Sequence, residues 1–350
     1  MTKQTMQAAV LYAPGDLRVE ERELPQISAG QVLVKVRACG ICGSDLPRVL
    51  HTGTYHFPTI PGHEFSGEIA AVPEGETEWK PGDRVAVAPL MPCGECESCR
   101  AGHFGQCACY DFLGSRRDGA FAEYVAAPRE NLLPLPENVS FEEGAMIEPA
   151  AVTLHGMFKT KLDGADAVVL GVGAIGIFAA ALAKLMGARR VFAVDVAEEK
   201  LEMARQYGVD ECIHSLQCDP VEAIEKLTDG KGAAVVIEAA GNKITQEQAL
   251  RMGKAHGEVL FLGTAHKTVE FPPASFERII RRELVLLGSW NSYSSPFPGE
   301  EWRSVIRFLA EGKLDLKPMI SRKVALSDLP QTLCDMEARK FDYSKVLVTF

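Results

Sequence analysis

Little in this 350-residue chain points to a membrane, a nucleic acid or the cell exterior. The opening stretch "MTKQTMQAAVLYAPGDLRVE" lacks an apolar core followed by a small-residue cleavage site, so no secretory signal is expected. One apolar run, residues 167–183, approaches the length of a membrane helix. Its glycines and strand-turn-helix pattern place it instead in a buried α/β segment. Basic residues are outnumbered, 37 Lys and Arg against 47 Asp and Glu for a net charge of −10. That balance argues against non-specific nucleic-acid binding and leaves room only for local basic pockets that take an anionic substrate. No internal repeat and no low-complexity tract is found. These absences leave a globular protein, expected in the cytoplasm, that works on small molecules.

Hydrophobic residues make up 47% of the chain and charged residues 24%, ordinary values for a packed domain. The length suggests two domains, each with an apolar interior that needs no staples. Residues 1–150 alternate short β-rich runs such as "QVLVKVRA" and "DRVAVA" with turns such as "KPGD", the pattern of a mostly β domain. Residues 151–289 switch to apolar strands alternating with amphipathic helices, "AVVLGVG", "AIGIFAAALAKLMG", "RVFAVDV" and "EEKLEMARQYG" among them. That alternation predicts an α/β fold, a doubly wound parallel sheet covered on both faces. Residues 290–350 contain helix and strand that need not belong to that sheet.

Ten cysteines in a reducing compartment read as metal ligands rather than disulfides where they cluster. Cys93, Cys96, Cys99 and Cys107 fall at C-x2-C-x2-C-x7-C within residues 91–110, a spacing that lets four thiolates from one loop converge on a tetrahedral zinc. Four sulfurs leave no open position, so the site is expected to be structural. A redox or iron–sulfur cluster is the alternative, and no Cys-Pro signature follows the fourth thiol. Cys109 could replace Cys107 as ligand, but a small core residue is the expected role.

"VVLGVGAIG" places Gly171, Gly173 and Gly176 as G-x-G-x-x-G after a strand and at the start of a helix. Such glycines allow a tight turn and close backbone approach, so that the helix N-terminus meets a pyrophosphate. Nineteen residues after Gly176, Asp195 ends the next strand. A carboxylate there accepts ribose hydroxyls and repels a 2′-phosphate, which favours NAD; a helix N-cap is a compatible role. Lys200, farther along the same segment, is a further candidate cofactor contact.

Upstream, "CGICGSD" offers Cys39, Cys42, Ser44 and Asp45, "GHE" offers His63 and Glu64, and "IEPAA" offers Glu148. These residues are too scattered for spacing alone to assemble a site. In order along the chain, however, "GHEFSGEI", the four-cysteine lobe, "GVGAIG" and the acidic strand end resemble the zinc-dependent medium-chain dehydrogenases, specifically the polyol branch. "CGSDLPR", "DFLGSRRDGAFAEY" and "LLGSWNSYSSPFPGEEW" strengthen the likeness, which spans essentially the whole chain. The resemblance implies a GroES-like catalytic domain, a Rossmann domain, and a C-terminal segment that returns to complete the first. It implies a catalytic zinc held by Cys42, His63 and Glu148, or by Glu64 in place of Glu148 with the distant glutamate acting through water. It also implies NAD as hydride acceptor, and Ser44 as the hydroxyl that relays the proton. Pro47 stands where some relatives continue that relay with histidine.

The same resemblance points to a phosphorylated hexitol as substrate. Arg48, Arg116 and Arg117 are then candidates for the phosphate, because guanidinium pairs bidentately with it; ordinary surface pairs are the competing role. Trp290 and Asn291 resemble substrate-pocket residues, with interdomain packing the alternative for Trp290. A neutral polyol such as sorbitol or xylitol, or L-threonine, is the competing substrate class within the family. A non-catalytic NAD-binding sensor is the competing class outside enzymes, and retention of Cys42, His63 and both glutamates speaks against it. A homodimer or homotetramer is expected, as in relatives of this architecture.

Overall fold

A computed structural model describes residues 5–265 and 267–350, so the first four residues of the N-terminal stretch lie outside it. The chain forms two compact units, Met1–Glu148 with Tyr293–Phe350, and Pro149–Ser292. Among the described residues no helix is long and apolar enough to cross a membrane.

The first unit is built on a seven-stranded sheet. Its strands run in the order Ile320–Val324, Lys345–Thr349, Gln31–Gly40, Glu64–Ala71, Arg84–Val87 and Leu132–Pro134, with Tyr124–Pro128 also paired to Gln31–Gly40. The C-terminal segment therefore supplies two strands to a sheet begun by the N-terminal residues. A hairpin, Thr5–Ala13 with Asp16–Glu23, packs on this core through Ala8, Ala9, Val10 and Leu11, all buried. Residues of the central strand Gln31–Gly40, Val32, Val34 and Val36 among them, are buried with Phe65, Phe121 and Val348 in one cluster. Burial of such side chains is worth roughly 1.5–3 kcal/mol each, so the sheet's central strands carry much of the unit's stability.

Register places the chemistry. Gly40 lies opposite Glu64 in the antiparallel pair, and Leu347 lies opposite Gly40 on its other side. Cys42, two residues past the strand, is thereby brought beside His63 and Glu64, while Lys345 arrives from the far end of the sequence. Gly40 is required here, because a Cβ would collide with the Glu64 carboxylate and lie 2.9 Å from Cε of Lys345.

The second unit is a six-stranded sheet, parallel throughout. Its order is Glu211–His214, Arg190–Asp195, Asp166–Leu170, Ala233–Glu238, Gly253–Phe261 and Val285–Gly288, which is the doubly wound arrangement reversing direction beside its first strand. Every residue of Asp166–Leu170 is buried, as expected of a strand covered on both faces. Helix Ala174–Leu185 starts at Gly173 and buries Ile177, Phe178 and Leu182.

Candidate zinc and nucleotide sites

Cys42, His63 and Glu64 each direct one ligand atom into a group whose members lie within 4.8 Å of one another. Glu148, in the first turn of helix Ile147–Met157, is buried nearby and outside that group. Burial first, then the Glu64 and Cys42 charges, push its carboxyl up to about 8, with His63 acting in the opposite sense. Burial, followed by Glu64 and Asp45, pushes the Cys42 thiol up to about 12. The Ser44 hydroxyl donates to Cys42 Sγ at 3.2 Å and is otherwise open to solvent. Cys39 is a core residue, wholly buried and outside the ligand group.

Two residues that sequence reasoning left without a role organise this pocket. Asp45 is fully buried; one carboxylate oxygen accepts the Cys42 backbone N–H at 2.9 Å, and the other faces His63 Nδ1 at 3.6 Å and Arg48 at 3.1 Å. It fixes the loop that presents Cys42 and sets a carboxylate beside the His63 ring. Lys345, 3% exposed, pairs with Glu64, 1% exposed, and donates to the Ile41 carbonyl at 3.1 Å. Burial pulls its ammonium down, but Glu64 and Cys42 more than offset that, and the net direction is up. Asp45 could be suspected from standing three residues after Cys42. The only sign of Lys345 is a lone cation heading the apolar strand "KVLVT".

The donor set fits a divalent metal. Cys42, Asp45, Glu64 and Glu148 are four potential anions, against Lys345 and Arg48 as the facing cations. A dication balances the difference, and thiolate, imidazole and carboxylate are zinc's usual ligands. The ring of Phe112 lies 5.7 Å from that of His63, and Tyr110 packs edge-on against Phe112 at 6.4 Å. These rings form an apolar wall beside the ligands.

Phe112 is anchored by the cysteine lobe. The sulfurs of Cys93, Cys96, Cys99 and Cys107 lie within 4.8 Å of one another around the short helix Glu97–Arg100, and the lobe is closed by strands Leu90–Met91 and Asp111–Phe112. Backbone N–H groups of Cys99 and Ala108 pull Cys96 down to about 6, while burial pushes Cys99 up to about 12. Such convergence without an oxidised pair is what a tetrahedral thiolate site requires. Cys109 is exposed rather than a core residue, a correction to the expectation from sequence. Its place just beyond Cys107 leaves it on the outer side of the loop, where its N–H points at the Cys107 sulfur.

In the second unit, Gly171 has φ +82°, and a Cβ there would lie 2.5 Å from that of Ala240. A Cβ on Gly176 would collide with the Gly171 carbonyl, whereas the space above Gly173 is open. This is a cradle shaped for a pyrophosphate at the start of helix Ala174–Leu185. Asp195 accepts the N–H of Val172 at 2.8 Å, of Val196 at 2.7 Å and of Ala197 at 3.0 Å. It thus ties the glycine loop to the next strand and caps the turn that follows. Lys200 stands in helix Glu198–Gln206 just beyond it. Trp290, 55% exposed, and Asn291, with φ 56°, follow the last strand of this unit. Of the three arginines, Arg48 is engaged by Asp45, Arg117 is paired with Asp111, and Arg116 stacks between two tyrosines.

Residues 28–137 match the family described as Alcohol dehydrogenase GroES-like domain, and residues 174–311 the family described as Zinc-binding dehydrogenase. The chain belongs to the zinc-binding alcohol dehydrogenase family. It is 38% identical to galactitol 1-phosphate 5-dehydrogenase of Escherichia coli K12, over 98% of this chain and 99% of that protein. It is 33% identical to sorbitol dehydrogenase of Bacillus subtilis 168, over 99% and 97%. The crystal structure of galactitol-1-phosphate dehydrogenase from Escherichia coli superposes with a TM-score of 0.94, at 38% identity over 99% of this chain and all of that one. A zinc-binding dehydrogenase of Sinorhizobium meliloti 1021 bound to NADP gives 0.92, at 32% identity over 99% and 100%. The protein is thus an oxidoreductase acting on CH–OH groups of small molecules, with zinc and a nicotinamide dinucleotide as its cofactors.

If Lys345 and a metal share the neutralisation of Glu64, Lys345→Met should destabilise the metal-free protein by about 3–5 kcal/mol, the cost of stranding a buried charge. Added zinc should recover most of that loss, since binding to the folded state alone raises stability. Denaturant unfolding with and without zinc checks this; equal losses under both conditions would contradict it.

Proposed function

We propose that the chain oxidises galactitol 1-phosphate to tagatose 6-phosphate with NAD. The observation that carries this reading is the 38% identity to galactitol 1-phosphate 5-dehydrogenase over 98% of the chain, joined to a pocket with the matching donors. In this reading Cys42, His63 and Glu64 would hold the catalytic zinc, with Glu148 buried outside that group. The four-thiolate lobe holds the second ion, with no position left for substrate. Bound there, zinc would supply Lewis acidity toward the substrate hydroxyl and NAD would supply the hydride acceptor.

The chain's own residues do the rest. Asp45 holds the Cys42 loop in place and places its carboxylate beside the His63 imidazole, where a carboxylate would orient a metal-bound ring. Phe112 excludes water from the side of His63. Ser44 accepts the hydroxyl proton on Oγ and passes its own hydrogen to solvent, to which it is exposed. Pro47 carries no titratable group, so no side chain at that position extends the relay.

A neutral polyol is the second reading, favoured by the 33% identity to sorbitol dehydrogenase over nearly the whole chain. The two separate in a screen of NADH formation with galactitol 1-phosphate, galactitol and sorbitol side by side. The phosphorylated hexitol should lead in kcat/KM by about tenfold or more, as a charge-assisted contact would give. Equal or better use of sorbitol would transfer the function to the neutral class.

NAD should be used in preference to NADP, because a carboxylate at the end of the second strand would repel the added phosphate. Asp195→Ala is expected to raise the NADP-to-NAD ratio of kcat/KM. An unchanged ratio would remove Asp195 from cofactor choice and leave it only its three backbone contacts.

A further inference from the structure

Resting on the reading that the substrate carries a phosphate, we propose that Arg116 is the residue that recognises it, held for that purpose between Tyr55 and Tyr110. The other two candidate arginines are committed elsewhere. Arg48 pairs with the buried Asp45, and Arg117 with Asp111. Among the described residues Arg116 pairs with no carboxylate, and its Nε is buried without a hydrogen-bond partner.

What Arg116 has instead is two aromatic faces. Its guanidinium carbon lies 4.0 Å from the ring centroid of Tyr55 and 4.5 Å from that of Tyr110. A guanidinium held over rings, with no carboxylate to occupy it, can turn its fork of N–H donors to two phosphate oxygens. Stacking also fixes the side chain before the ligand arrives, which lowers the entropy lost on binding. The backbone beneath is fixed as well. The Arg116 N–H donates to the Phe112 carbonyl at 2.9 Å, and His56 Nε2 donates to the Arg116 carbonyl at 3.0 Å.

Position relative to the chemistry follows from contacts already described. Tyr110, which Arg116 covers, packs against Phe112, and Phe112 packs against His63. Arg116 is therefore three contacts, through the rings of Tyr110 and Phe112, from a residue of the zinc-ligand group. On the outer side Tyr55 is 68% exposed, so the stack is open to an incoming ligand. Arg116 also lines a cavity of about 430 Å³ together with His56, Arg117 and Asp118, in which Arg116 is the arginine without a carboxylate partner.

The experiment compares kcat/KM for galactitol 1-phosphate and for galactitol in the wild type, Arg116→Gln, Arg116→Lys and Arg117→Gln. Arg116→Gln should reduce the preference for the phosphorylated substrate by about 10- to 100-fold, chiefly through KM. Arg116→Lys, which keeps the charge but loses the fork, should fall between it and the wild type. Arg117→Gln should change the preference by no more than about threefold, as for a surface pair. Inorganic phosphate should compete with galactitol 1-phosphate in the wild type and less well in Arg116→Gln. A wild type without preference for phosphate would overturn the substrate reading itself. A wild type that prefers phosphate, with that preference and the phosphate competition intact in both Arg116 variants, would overturn the assignment of Arg116 alone.

Discussion

The pocket around Cys42 brings more negative than positive side chains out of water, and the architecture of the first unit turns on how that excess is met. Cys42, Asp45, Glu64 and Glu148 face Lys345 and Arg48, with His63 between them. Isolated buried charges cost several kcal/mol each, so without compensation such groups hold protons instead of charge. The upward displacement of Cys42 and Glu148 is that response. A bound dication would reverse it, and the same field would lower the proton affinity of a substrate hydroxyl.

Holding such a set together requires a rigid frame and contributions from remote parts of the chain. Three adjacent strands supply it: Gln31–Gly40 leads to Cys42, Glu64–Ala71 carries Glu64 at its first residue, and Lys345–Thr349 carries Lys345 at its first residue. Gly40, at the centre of this register, has no side chain because the Glu64–Lys345 pair fills the space. The cysteine lobe adds the wall. Its four sulfurs brace a loop with little apolar content, and strand Asp111–Phe112 delivers Phe112 to His63. A structural metal thus shapes the reaction site without touching substrate.

How much of this could be seen in the sequence depends on the range over which each feature is encoded. The glycine loop and the four cysteines are local: a few residues fix both the geometry and the chemistry, and the structure displays a cradle at Gly173 and a convergent thiolate group. The parallel sheet was legible because buried strands such as Asp166–Leu170 are apolar at every residue after the first. Cys42 and His63 could be paired only through family resemblance, because strand register brings them together and register is not written in either segment alone. Lys345 was invisible for the same reason at greater range. Asp45 and Phe112 were passed over because a lone acid and a lone aromatic usually serve packing or turns. Among the arginines, sequence could name three cations but not which already had an anion. Cys109 went wrong because a small sulfur residue is buried on average, whereas this one sits on the outer face of its loop.

The claim that a dication completes the charge of the Cys42 pocket is tested most directly by counting protons as zinc returns to it. Calorimetric titration of zinc at pH 7, in two buffers of different ionisation heat, reports the protons released by enzyme stripped only at the open site. Cys42, at about 12, and Glu148, at about 8, hold protons at pH 7 without metal. Binding should therefore release protons, with the Glu148 share fading as the pH rises above about 8 and the Cys42 share absent from Cys42→Ala. Zinc binding without proton release, or the same release and affinity in Cys42→Ala, would contradict the account.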